Sequence, residues 1–533
     1  MRTRTPALVA VALALTACLT ACSGSTPSTS GGSSGSPAYV TDGTFTIAQV
    51  SDPGALDPQM SIVAGLFDMT GYAYDSIVGL SPTGQVLPQL AKSWTTSGNA
   101  TTFTINSGIT CSDGSALTAT TIANNISWME DSQNASPYLG AFLPVGTATA
   151  DASANTVTFT PTQPAPFLLS SLANVPIVCD AGLTDRSKLD GATLGSGPYV
   201  LTEAVPNDHY TYVRRDGYTW GPGGATTAAP GMPKTIVVKI VPDESTSVNL
   251  LLSGQVNAVT TVGSDGDRAK AAGMQSVEVP ANLGFTWYNQ AAGHPTADPA
   301  VREALTQALN LTDLATAITG GEGGPAKSLA VVPPASCSYD SITGNLPSYS
   351  TSDAQATLEQ DGYTKGADGM YTKDGQPLTI TFLYDSALGT AGQSAAELAM
   401  QQWKDAGITV NAQSQATAQI SQVLFGTGAW DVAWEPINVN SPDQMVSYLS
   451  GPTLADGGSN FASINDANYT NAVNSALQQT GDAACAGFQQ AETALIKDND
   501  LVVWAERSNQ IYLNKVQYAY NGRTDVTALR MLA

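Results

Sequence analysis

Asn282-Leu-Gly-Phe-Thr-Trp-Tyr-Asn289 alternates like a strand, with Leu283, Phe285 and Trp287 on one side and Thr286 and Tyr288 on the other. A polar turn follows, and Asp298-Pro299 then supplies a helix N-cap with proline at the first helical position. Val301, Leu305, Ala308 and Leu309 recur at helical spacing behind it. Similar lengths of strand- and helix-patterned sequence lie on either side. The stretch therefore reads as the place where the chain leaves one lobe and enters a second. Two lobes joined by a hinge enclose a cleft that can close.

Downstream, the pattern alternates strand and helix. Residues 378–383 read as a strand, 394–405 as a helix stopped by Gly407, 408–412 as a strand, 418–425 as a helix and 430–434 as a strand. Such alternation predicts a parallel sheet, with ligands beyond the carboxyl ends of its strands. Tyr384-Asp385 and Trp434-Glu435 then share one edge, beside the loop Ile437-Asn-Val-Asn440. Residues 501–504 read as a further strand, and 512–520 as the return to the first lobe.

Upstream, 45–50 reads as a strand, followed by the turn-rich Ser51-Asp-Pro-Gly-Ala-Leu-Asp-Pro58 and a helix through Ile62, Leu66, Met69, Ala73 and Ile77. Short strands and turns from Gly79 to about residue 160, around a helix near 122–128, read as an inserted subdomain. Beyond Pro176 the first lobe resumes, with a hairpin (195–201 with 209–214), a buried strand (236–241), a helix (245–252) and a short strand (258–261).

A chain of 533 residues exceeds one ordinary core. Only 12% of its residues are charged, yet the net charge is −23. That acidity argues against nucleic acid as a partner, because phosphates need Lys or Arg. Arg2, Arg4 and the apolar 7–19 segment, too short to span a bilayer, read as an export signal. Two copies of Leu-Thr-Ala-Cys end at Cys18 and Cys22 and resemble the bacterial lipobox, whose cysteine is acylated. Cys22 is favoured as the lipidated residue, since the Ser/Gly-rich tether of residues 23–37 starts directly after it. Cys111, Cys179, Cys337 and Cys485 remain in an oxidising compartment and allow three pairings. A bridge between moving lobes would obstruct closure, which favours Cys111–Cys179 and Cys337–Cys485.

Six stretches, in this order, resemble the extracellular solute-binding proteins of ABC importers, family 5 (peptide, nickel and oligosaccharide binders). They are Leu56-Asp-Pro58, Gln85-Val-Leu-Pro-Gln-Leu-Ala-Lys-Ser-Trp94, Cys111-Ser-Asp-Gly-Ser-Ala-Leu-Thr-Ala119, Gly195-Ser-Gly-Pro-Tyr199, Asp298-Pro-Ala-Val-Arg-Glu-Ala-Leu305 and Trp430-Asp-Val-Ala-Trp434. The resemblance implies an α/β, two-lobed, periplasmic-binding-protein-like fold of the class II type, with crossings near 282–289 and 497–505. It also implies an ABC permease as partner and a membrane contact through the lipid anchor alone. The expected partition is signal 1–22, tether 23–37, lobe I 38–82 with 176–281 and 505–533, inserted subdomain 83–175, and lobe II 282–504. The expected state is a monomer.

The candidate ligand contacts are Trp434, Glu435, Asn438, Tyr384, Tyr288, Trp504 and Asp57. Peptide binders of the family place an aspartate at the position of Ile437, to pair with the peptide's amino group; here Glu435 is the nearest acid. Trp434, Tyr384, Asn438 and Asn440 offer aromatic faces and amides, which suit a neutral polar ligand such as an oligosaccharide. The two histidines, His209 and His294, fall outside the region where the nickel-chelate binders carry theirs. No catalytic residue, metal site or cofactor is expected: nucleophile elbow, zinc motif and phosphate loop are all missing from the sequence. Gly31-Gly-Ser-Ser-Gly35 matches the elbow by letter only, and Ser264-Asp-Gly-Asp267 has too few ligands for a calcium loop. The alternatives are a surface sensor or adhesin with the same cleft, or a secreted hydrolase.

Overall fold

Two long strands, Gln275–Tyr288 and Leu501–Leu513, belong to both halves of one eleven-stranded sheet. They pair antiparallel from Gln275↔Leu513 to Trp287↔Leu501. The computed structural model that shows this describes residues 38–533 apart from Val63 and Val262. The signal, the tether and Cys22 lie outside the described residues. Among the described residues no helix is long and apolar enough to cross a membrane.

In the first half, Ala258–Thr261 joins the second crossing strand, and the sheet continues through Thr44–Gln49, Thr235–Ile240, His209–Arg214 and Tyr199–Val205. In the second half, Val432–Trp434 pairs with the first crossing strand through Trp287↔Ala433, and Thr379–Asp385 and Thr409–Gln415 follow. These last three strands are mutually parallel, as alternation with helices requires. The sheet as a whole is mixed rather than parallel. A chain that crosses on one strand and returns on its neighbour must run the two in opposite directions.

The return crossing begins within the expected 497–505 stretch and runs further. Strand Leu501–Leu513 makes it unaided, without waiting for residues 512–520. Its apolar ends are joined by the polar Glu506-Arg-Ser-Asn-Gln510. In the fold that polar run is a paired ribbon, with Arg507 opposite Ala281 and Gln510 opposite Glu278.

The ladder slips between Asn282, Gly284 and Phe285, opposite Ala505 and Glu506. A Cβ on Gly284 would lie 2.5 Å from the Trp504 ring and 2.7 Å from Ala505 Cβ, so only glycine fits. The irregularity breaks the alternation read from sequence. Leu283 packs on the same side as Tyr288, while Phe285 and Trp287 fill the opposite core. Local bends of this kind are where two halves of a sheet can turn relative to each other.

The second half of the sheet is covered on both faces, one core around Phe285, Trp287 and Phe461, the other around Tyr288, Phe382, Trp403 and Trp434. A separate four-stranded antiparallel sheet, built from residues 91–161, carries its own core with helix Ala119–Glu130. Thr118 and Thr121 close that helix's N-terminus with a reciprocal capping box. Phe167, at the edge of this module, reaches Phe488 of the second half, ring centroids 5.8 Å apart. The disulfides are Cys111–Cys179 and Cys337–Cys485, the pairing expected if neither bridge joins the two lobes.

Glu492 is buried among these residues on helix Gly481–Lys497. It accepts from Tyr339 Oη (2.6 Å), Ser341 Oγ (2.7 Å) and Leu329 N (3.3 Å). Burial outweighs those bonds and pushes its carboxyl up to about 7. A raised carboxyl favours the folded state while protonated. Its contribution is complete below the ordinary glutamate range and is lost as pH rises through about 7. The expected contribution of Glu492 is a loss of the order of 3 kcal/mol between pH 4.5 and 8, read as the difference between wild type and Glu492→Gln in chemical unfolding at both pH values.

Candidate functional site

Parallel pairing places Tyr384 beside Trp434, so the next residues, Asp385 and Glu435, leave adjacent strands together. This is the carboxyl edge of the second half's sheet. Two acids at that edge follow from the sequence alone, since each closes a short apolar strand whose hydrophobic residues occupy the core. Asp385 is buried and Glu435 partly buried. Burial first, and the Asp385 charge second, push the Glu435 carboxyl up to about 8. Its backbone carbonyl is held by the Trp287 indole (2.9 Å), but Oε2 is buried with no hydrogen-bond partner. The edge is thus poised for a donor or a cation.

Beyond Glu435 the loop turns along the crossing. Asn438 Oδ1 accepts from Asn282 N (2.7 Å) and its Nδ2 donates to Asn282 O (3.1 Å), which clamps the loop to the irregular point of the first crossing strand. Asn282 in turn donates from its side chain to Ser328 O (2.9 Å), leaving its own Oδ1 buried and without a partner. The loop that follows Glu435 is therefore fastened to the strand that any closure must bend.

The remaining sequence candidates fall in three places. Trp434, Trp504, Tyr384 and Tyr288 come together, but inside the core. The Trp434 ring is fully buried and meets Phe382 edge-on at 4.9 Å and Trp504 at 5.0 Å. Its indole N–H is buried without an acceptor. Trp504 donates to Thr286 Oγ1 (3.0 Å), Tyr288 pairs with Thr306 Oγ1 (2.9 Å), and Tyr384 stacks on Phe382 at 5.4 Å. Their faces are occupied by one another in this conformation, because a two-sided sheet buries both sides of each strand. Asp57 lies in the first half, where both its oxygens pair with Arg186, whose guanidinium sits 4.0 Å over Trp128. Of the two histidines, His294 bonds Asp431 at 2.8 Å, and His209 lies by Glu203 and Asp208. Sequence reasoning placed Asp385 on this edge without naming it as a ligand contact, and read Asn282 only as the start of the crossing strand. Nothing local marks the Asn282 side chain as a partner of Asn438.

Two lobes threaded by paired crossing strands, with polar groups gathered where the strands end, define a binding protein. The family model for bacterial extracellular solute-binding proteins, family 5, matches residues 85–457, and the chain belongs to that family. Such proteins act outside the cytoplasm together with an ABC permease. Protein XP55 of Streptomyces lividans is 28% identical over 525 residues, covering 92% of this chain and 87% of that one. The nickel-binding periplasmic protein of Escherichia coli is 26% identical, covering 69% of this chain and 70% of its own length. A substrate-binding protein from Microbacterium hydrocarbonoxydans, complexed with 4-hydroxybenzoate hydrazide, superimposes with a TM-score of 0.74 at 26% identity, over 92% of this chain and all of that one.

Proposed function

We propose that the chain is a lipid-anchored receptor, held through Cys22, that closes on a solute bearing an ammonium group and presents it to an ABC permease. A peptide with a free amino terminus is the solute class that fits best. The reading rests on one observation, the Glu435 carboxyl with an unpartnered buried oxygen beside Asp385. An ammonium there would donate charge-assisted hydrogen bonds to both acids. Trp434 N–H, also unpartnered, supplies a donor for a carbonyl of the same solute. A stacked sugar has less support, since the aromatic faces are occupied by packing and the Asn438 amide by Asn282. A nickel chelate has less support again, since both histidines are tied to acids. The proposed partition keeps lobe I at 38–82, 176–281 and 505–533, the inserted subdomain at 83–175 and lobe II at 282–504. Opening is a bend at residues 282–285 and 505–506.

The experiment is a thermal-shift screen of di- to pentapeptides, each with a free or an acetylated amino terminus, followed by calorimetry of a hit. Free-amine peptides raise Tm and acetylated ones do not. Binding a cation lowers the Glu435 pKa, so a proton is released near pH 7 and affinity rises with pH towards about 8, then falls as the solute's amino group, with a pKa of about 8, loses its own proton. Glu435→Gln removes the rising limb and costs roughly 10- to 100-fold in affinity, the worth of a charged hydrogen bond. Equal stabilisation by acetylated peptides or by oligosaccharides would overturn the ammonium reading. Unimpaired solute uptake by a strain lacking this protein would overturn the receptor reading in favour of a sensor.

A further inference from the structure

Helices Ala467–Ala476 and Gly481–Lys497 form an antiparallel hairpin that brings the start of one to the end of the other. Asp466 caps the first: its Oδ1 accepts from Asn468 N (2.7 Å) and Tyr469 N (3.1 Å). Asp498 and Asp500 follow the second, on the short link into the crossing strand Leu501–Leu513. One oxygen from each of these three carboxylates lies within 4.8 Å of the others. They gather at the C-terminal end of a 17-residue helix, where the helix dipole already concentrates negative charge. Arg302 answers only part of this, pairing with Asp500 Oδ1 at 2.7 Å.

Two further atoms point to a missing ligand. Asp466 Oδ2 is buried and has no partner, and neither has the Oδ1 of Asn499, a residue only 5% exposed. Asn499 sits between the two aspartates at φ 50°, and its main-chain carbonyl is taken by Arg302 Nε (3.1 Å). All four residues line one surface pocket of about 550 Å³. Buried acceptors without donors, on residues that line one pocket with three carboxylates, are a costly arrangement in the absence of a cation.

The geometry points to a binding site for a calcium-type divalent cation, held by Asp466 Oδ2, Asp498, Asp500 and the Asn499 amide oxygen, with water completing the shell. The donor set is all oxygen, which selects a hard cation over zinc or nickel. The irregular, partly wet shell suits calcium better than octahedral magnesium. The cation ties the helical hairpin to the lobe II root of the second crossing strand. Gln290, just past the end of the first crossing strand, donates to Asp500 O (3.3 Å) in the same place. Both crossing strands are thus anchored at one point.

Equilibrium dialysis of the metal-stripped mature protein against calcium chloride tests this, with scanning calorimetry in calcium and in EDTA. One calcium binds per chain, with a midpoint of roughly 10⁻⁵ to 10⁻³ M, and above that midpoint Tm rises with the logarithm of calcium concentration. Asp498→Asn, at an exposed position, binds at least tenfold more weakly. In EDTA that variant melts at or above the wild type, because one of three repelling carboxylates is gone; in calcium the order reverses. A purely structural role for Asp498 would lower Tm in both buffers. Asn499→Gly relieves the positive φ, keeps the fold and also weakens calcium binding. Failure to bind calcium at millimolar concentration, or an equal rise in Tm for wild type and Asp498→Asn, overturns the proposal and leaves the orphan oxygens to water. Neither result bears on the solute site, which stands or falls on the peptide screen.

Discussion

Trp434→Ala lowers the stability of the ligand-free protein by about 3–5 kcal/mol, the usual cost of emptying a large buried aromatic site. The indole is fully buried, with Phe382 edge-on to it and Trp504 beside it, and Trp403 meets the same Phe382 ring edge-on at 5.2 Å. These rings come from three strands and one helix, so none can move in to fill the hole without disturbing its own backbone. Trp434→Phe, which keeps an aromatic body and deletes the N–H, separates two roles. It should recover most of the stability, while solute affinity stays reduced if the unpartnered N–H meets the solute. Urea unfolding of both variants without solute checks the first point. A loss below about 1 kcal/mol in Trp434→Ala would show that the site collapses, contrary to the packing described.

Removing the Cys337–Cys485 bridge, by Cys337→Ser with Cys485→Ser, costs up to about 5 kcal/mol on chain-entropy grounds. The bridge spans 148 residues of sequence, against 68 for Cys111–Cys179, so it restricts the unfolded chain more. It joins helix Gly481–Lys497 to the segment after Pro334, next to buried Glu492 and Tyr339. The expected result is a larger fall in Tm than for Cys111→Ser with Cys179→Ser. Because neither bridge joins the two lobes, reduction should leave solute-induced closure intact below the melting transition. Small-angle scattering of the reduced protein, with and without a bound peptide, reads that directly.

Much of this was legible in the residues. The parallel unit that places Tyr384-Asp385 beside Trp434-Glu435 follows from alternation of strand and helix with a glycine stop, because helix and strand periods are local properties of a chain. The disulfide pairing followed from a mechanical argument about hinges, and the crossing at Asn282 from a change in pattern. What eluded the sequence was direction and occupancy. Whether an aromatic at a strand end faces a cleft or a second layer depends on what covers the sheet. Here both faces are covered, so Trp434, Tyr384, Trp504 and Tyr288 pack into one core. The slip at Gly284, which reverses the side on which Leu283 lies, is set by the Trp504 ring, 220 residues later in the chain. The acids at residues 466, 498 and 500 meet only because two helices fold back on each other.

By itself, then, the sequence determined the class of fold, the pairing of cysteines and the strand edge that Tyr384-Asp385 and Trp434-Glu435 share. Those features depend on local periodicity and on the mechanical limits of a hinge. The tertiary structure alone decided which polar atoms are left without partners, and so which groups a ligand must satisfy. Partnership is a property of contacts between distant segments, and no window of sequence contains both sides of such a contact.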